Sequence, residues 1–232
     1  MFVPYFDITY LLFSLPAILI GVMAQLLLSY WNNQYRGVVN LNKLTGIDAV
    51  EKIAREKNLQ IRVAVTPADL SDNYNPTNHT LTLSQSVAHE PSIASVGIAA
   101  HELGHAIQHR DANILFNLRT AIVPFVGLGT SIGYLLLIAG ILIGLTQLAW
   151  IGIILFSGTT IFSLLTLPIE LDASSRALNM IKETHLLFPE EIPGVRKVLF
   201  AAALTYVAAT LQSLGALLYF IFRVQGIGRS KD

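Results

Sequence analysis

The chain has 232 residues, 53% of them hydrophobic and 13% charged, about half the charged share usual in soluble proteins. Its 15 basic and 15 acidic residues cancel, which removes the electrostatic footprint of a nucleic-acid partner. With no cysteine, disulfides, thiolate catalysis and cysteine-ligated zinc are excluded, so any bound zinc must use histidines and carboxylates.

Residues 8–30 carry no charge and, at about 1.5 Å per residue, are long enough to cross a hydrocarbon core of roughly 30 Å. They read as a transmembrane helix or an uncleaved signal anchor, because residues 1–7 hold no Lys or Arg for a cleavable signal. Tyr30 and Trp31 suit the membrane interface. Residues 31–120 form the polar region. Asp48–Glu56 has the spacing of a short amphipathic helix capped by Thr45 or Asp48. Ile61–Val65 and Thr80–Ser84 alternate in polarity and read as paired strands, with the turn formers of Asp69–Pro76 between them. An exposed edge of so small a sheet is a seat for an extended peptide by strand addition. From about Pro91 the periodicity turns helical.

Residues 121–145 and 148–167 are two further apolar runs with a break at Thr146-Gln147, the lengths of a transmembrane hairpin. Pro168 opens a new helix at a tolerated first-turn position, within a returning segment 168–198. Residues 199–222 are the fourth apolar run, followed by a basic tail with Arg223, Arg229 and Lys231. The expected fold is therefore one membrane-integrated domain, mainly α, with about four transmembrane helices and a small α+β region. Eight Lys and Arg fall between Arg36 and Arg119 and four between Arg176 and Lys197, against three in the tail and none before Ile8. These twelve place both polar segments in the cytoplasm, although the tail then runs against the rule.

The helical stretch contains His101-Glu102-Leu103-Gly104-His105, an H-E-x-x-H pattern. On a helix, positions i and i+4 share a face, so His101 and His105 can offer two imidazoles to one zinc ion, with Glu102 beside them as general base. A catalytic zinc keeps three protein ligands and one open position. His109 would spread three histidines over about 12 Å of one helix, too far for bonds near 2 Å; it reads as a neighbour of the site or a solvated side chain. His79, His89 and His185 stand alone and read as structural or exposed. Glu170 is the better third ligand, because a hairpin whose ends return to one face brings its helix to that of His101. Asp172 and Arg176, at i and i+4, read as a surface ion pair. A sharper reading makes Arg176 or Tyr74 an oxyanion stabiliser.

The segments Leu70–Pro76, Ala99–Gln108 and Leu167–Ala177 resemble the YugP-type neutral zinc metallopeptidases over nearly the whole chain. More distantly, the chain is similar to the HtpX-type membrane zinc proteases, whose E-x-x-A-D pattern implies Glu170 as third ligand; Ser174 stands here in place of the aspartate. The resemblance implies a zinc-dependent endopeptidase of a bacterial cell membrane that cuts protein or peptide substrates, membrane proteins among them. It would hold one Zn2+ on His101, His105 and Glu170, at the membrane surface on the side of the basic segments. Two alternatives differ. Leu171-Asp172-Ala173 is similar to the aspartate motif of site-2 proteases, which would make Asp172 the ligand, but Arg110, Asp111 and Asn113 follow the histidines too closely for a motif inside a membrane helix. The other alternative is a zinc-stabilised membrane scaffold or regulator without turnover.

Overall fold

A computed structural model describes residues 7–229. The charge-free residues 1–6 and Lys231 of the basic tail lie outside the described residues. The elements are α1 (Ile8–Arg36), α2 (Gly46–Glu56), β1 (Arg62–Thr66), β2 (Asn73–Asn75), β3 (Thr80–Ser84), α3 (Gln85–His89), α4 (Ile93–Arg110), α5 (Ile114–Ile143), α6 (Thr146–Glu183) and α7 (Ile192–Arg229). Four of the helices, α1, α5, α6 and α7, are long and apolar enough to cross a membrane. In the most apolar stretches of α1 and α5 only 17% of residues are buried inside the protein, so lipid, not protein, is the solvent their side chains call for.

The described residues divide into two compact units. One gathers the chain up to Met23, Leu118–Leu167 and the part from Thr205 onward. Here α5 and α6 pack through small residues. A Cβ on Gly140 would stand 2.8 Å from Ala149 Cα, and one on Gly152 2.6 Å from Leu137 Cα, the close backbone approach that holds membrane helices together without a hydrophobic driving force. Thr160 Oγ1 adds a bond to Ser213 O of α7. The turn between α5 and α6 falls at Gly144, in the left-handed region at φ 69°, and Thr146 is already helical. The break is thus two residues earlier than the sequence suggests, because the left-handed conformation selects glycine, not the more polar Thr-Gln pair.

The second unit is Ala24–Asn117 with Pro168–Leu204. Its amphipathic helix α2 begins in a capping box, Thr45 and Asp48 each satisfying the other's backbone N–H. Gly46, Ala49, Val50 and Ile53 are buried, the i, i+3, i+4, i+7 stripe of one face. Ala49, Val50 and Ile53 join a core with Leu81, Leu83, Val96, Leu103, Ile181 and Val195. The sheet has the order β1-β3-β2, with β1 parallel and β2 antiparallel to β3. Strand β2, Asn-Tyr-Asn, lies inside the stretch read from sequence as turn formers. It carries no alternating apolar signal, and its pairing with β3 decides it. The loop that carries the chain from β1 past β3 to β2 is pinned where Ser84 N and Oγ donate to Asp72.

A second departure from the sequence reading is at Pro168, which opens no new helix: α6 runs through it from Thr146 to Glu183. The proline removes one backbone donor, but the helical runs on both sides carry the element across it, as membrane helices allow. Helix α4 starts at the cap Ser92, whose hydroxyl accepts from Ser95 N, and lies directly against the part of α6 beyond Pro168. A Cβ on Gly104 would stand 2.7 Å from Ala173 O and 3.1 Å from Ala173 Cα, backbone atoms that cannot rotate aside. Gly104→Ala should therefore cost roughly 1–3 kcal/mol by overpacking and lower the thermal midpoint of the purified protein. An unchanged midpoint would mean that the two helices can part without loss.

Candidate metal centre

Two turns of α4 and the start of the post-proline part of α6 supply the site. His101 Nε2 is 3.2 Å and His105 Nε2 3.6 Å from Glu170 Oε2, and one ligand atom from each residue lies within 4.8 Å of the others. Tetrahedral zinc with bonds near 2.0–2.1 Å holds its ligand atoms about 3.3 Å apart, so this two-imidazole, one-carboxylate group fits the ion. The side chains are 14%, 12% and 6% exposed, which leaves an opening on the histidine side and little on that of the carboxylate.

The other ring nitrogens are also held. Gln108, fully buried, donates from Nε2 to Ile169 O and to Asp172 Oδ2, each at 2.8 Å. Its Oε1 is left as acceptor for His105 Nδ1–H at 2.9 Å, which leaves Nε2 as the ring nitrogen that would serve a metal. His101 Nδ1 lies 3.2 Å from Ser174 Oγ. The serine that replaces the aspartate of the E-x-x-A-D pattern thus occupies the orienting position beside the first histidine. Asp172 in turn accepts from Arg176 Nε at 2.7 Å, and Arg176 reaches Asp111 at 3.1 Å.

Glu102 is buried beside this group. Burial pushes its carboxyl above the ordinary glutamate range, against the pull of His101 and His105, and the negative charges of Glu170 and Asp72 push it further. Burial alone would lower the His105 imidazole; its bond to Glu170 and the charge of Glu102 outweigh that and raise it. A general base is most effective when its pKa is lifted toward the working pH.

The remaining candidates fall elsewhere. Asp172 is outside the metal group, its carboxylate taken by Gln108 and Arg176. His109 is not isolated: its Nδ1 is 3.0 Å from Tyr74 Oη, and its ring stacks on His79 at 5.2 Å. His79, read from sequence as a lone histidine, also meets Tyr74 Oη, at 3.3 Å. The contact is tertiary, made when β2 and the β2–β3 turn fold against α4, so spacing could not reveal it. His89 is exposed at the end of α3, and His185 uses its backbone carbonyl to accept from Asn42. Gln108, Asp111 and Asp72 were not singled out as site residues by sequence; only the polarity of Gln108 one turn beyond His105 hints at its role.

An H-E-x-x-H helix closed by a glutamate from a second helix is the donor set of a zinc metallopeptidase, here in a chain with four membrane-length helices. The profile of the family described as "Putative neutral zinc metallopeptidase" matches residues 10–225, and the chain belongs to that family. It is 39% identical over 209 residues, 86% of this chain and 92% of the relative, to the "Putative membrane protease YugP" of Bacillus subtilis (strain 168). No solved structure matches it.

The Gln108 relay has a direct test. Gln108→Leu should weaken zinc binding about 10–100-fold, measured by competition with a chelator of known affinity, while the fold is retained. Unchanged affinity would show that His105 needs no such partner.

Proposed function

We propose that the protein is a zinc-dependent, membrane-integrated endopeptidase in which His101, His105 and Glu170 hold the ion and Glu102 is the general base. The observation that carries this reading is the convergence of both Nε2 atoms on Glu170 Oε2 with a buried Glu102 at their side. When bound, zinc supplies Lewis-acid polarisation of the peptide carbonyl and makes a water acidic enough to attack it. Glu102 takes the proton of the attacking water and later delivers it to the leaving amine. Gln108 and Ser174 keep the two imidazoles aimed, and Glu170, nearly enclosed, is held from rotating away.

Strand β2 is an edge strand, and Tyr74 on it is bonded to His109 of α4, which supports strand addition at this edge as the seat for an extended substrate. Of the two oxyanion candidates, Arg176 is engaged by two carboxylates. Tyr74 is the other: its phenol, raised by burial, faces the rings of His109 and His79 and is bound to no carboxylate. The twelve basic residues of the two polar segments support a cytoplasmic site, and Glu170, three residues after the apolar run 148–167, supports a position at the membrane surface.

Glu102→Gln should retain zinc and lose about 10²–10⁴-fold in chelator-sensitive cleavage of casein; a fully active variant would end this mechanism, and a wild-type protein that binds zinc without cutting would favour the scaffold. Glu170→Ala should lower bound zinc at saturation, whereas Asp172→Asn should still fill, the reverse result restoring the site-2-like arrangement. In sealed, oriented vesicles the segment between Arg36 and Thr120 should resist protease added outside, and digestion from that face would overturn the orientation.

A further inference from the structure

A cavity of about 600 Å3 opens where the starts of β1 and β3 meet the C-terminal end of α4. Its wall includes Arg62, Arg110, Tyr74, Asn78, His79 and Gln60, and no carboxylate lines it. Arg110 is already satisfied by Asp111 and by Lys57 O. Arg62 is different. It is exposed at the start of β1, and its guanidinium makes no hydrogen bond or ion pair with any described residue. An unengaged guanidinium on a wall that holds no carboxylate favours an anionic occupant. A carboxylate meets the planar fork of Arg62, a neutral side chain gains nothing over water, and a basic one meets a like charge.

The cavity borders the flank of α4, the helix that carries both histidines of the metal group, at Ala106 and Arg110. Ala106, on its wall, follows His105 directly, and Tyr74 Oη is bonded to His109, one turn beyond His105. From His105 to Arg110 the rise along α4 is about 7.5 Å, about two residues of extended peptide.

We propose that this cavity is a carboxylate-binding site with Arg62 as its recognition residue, and that it receives an acidic side chain of the substrate within two residues of the bond that is cut. The second half rests on the peptidase reading above. The volume lies within the range of ligand pockets and accommodates a glutamate side chain with room for water.

The test uses zinc-loaded, full-length Glu102→Gln protein, which reports binding without turnover. Pairs of fluorescent hexapeptides differing only by Glu or Gln at one position, walked along the sequence, are titrated by fluorescence polarisation. At one position the Glu peptide should bind about tenfold tighter than its Gln twin, the scale of a charge-assisted hydrogen bond. Adding Arg62→Ala should bring that ratio to about one and leave the Gln peptide within about twofold, while Arg62→Lys should keep part of the preference. Twins that bind alike at every position, or a ratio that survives Arg62→Ala, would overturn the proposal. Free N-acetylglutamate binding as tightly as the best peptide, with the same dependence on Arg62, would overturn the substrate half and assign the cavity to a small free carboxylate. If wild-type protein cuts no peptide but the Arg62-dependent ratio is present, the carboxylate site stands and the peptidase reading falls.

Discussion

The near contact of α4 and α6 at Gly104 and Ala173 is the constraint on which the site depends. With the Ala173 carbonyl 2.7 Å from where a Gly104 Cβ would be, the two backbones lie closer than a side chain at that position would allow, and short side chains suffice to bridge them. Glutamate from one helix then reaches both imidazoles of the other, and Gln108 reaches the backbone of Ile169. The variable letters of H-E-x-x-H are therefore not free here: the residue before His105 must be small because it faces the second ligand-bearing helix.

Around that contact the charges are arranged in two layers. Inside are two buried carboxylates, Glu102 and Glu170, with two imidazoles between them. Desolvated carboxylates in such proximity are costly unless a positive charge compensates them; a divalent cation on the three ligand atoms would supply that charge and would couple metal binding to the stability of the unit. Outside, Gln108, Asp172, Arg176 and Asp111 form a chain of bonds ending at the surface. Asp172 gains its role from this outer position: it orients Gln108, and through it His105.

The same helix also serves the membrane. Helix α6 contributes the residues before Pro168 to one compact unit and those after it to the other, and the third candidate ligand follows that border by two residues. One continuous helix thus carries both a membrane-length apolar run and a candidate metal ligand. Arg119, over the ring of Phe162 at 5.5 Å, and Lys197, over Trp31 at 4.4 Å, are cations stacked on aromatic faces, a combination suited to the ends of such spans.

Much of this was legible in one dimension because it depends on periodicity and local chemistry. Four uncharged runs of membrane length, the Thr45–Asp48 capping box, the alternation of Thr80–Ser84 and the i, i+4 histidines are each written within a few turns of chain. Strand β2, the continuity of α6 through Pro168 and the turn at Gly144 were not, since in each case pairing or packing overrides a local preference: Asn-Tyr-Asn becomes a strand because β3 is beside it, and a proline stays helical because both flanks do. The sequence by itself determined the donor types, the general-base candidate and the membrane-length helices. Only the tertiary structure decided which groups meet. Ser174 becomes the partner of His101, Gln108 joins Ile169 and Asp172, and His79 joins His109, because each of these contacts joins segments whose separation along the chain carries no periodic signal.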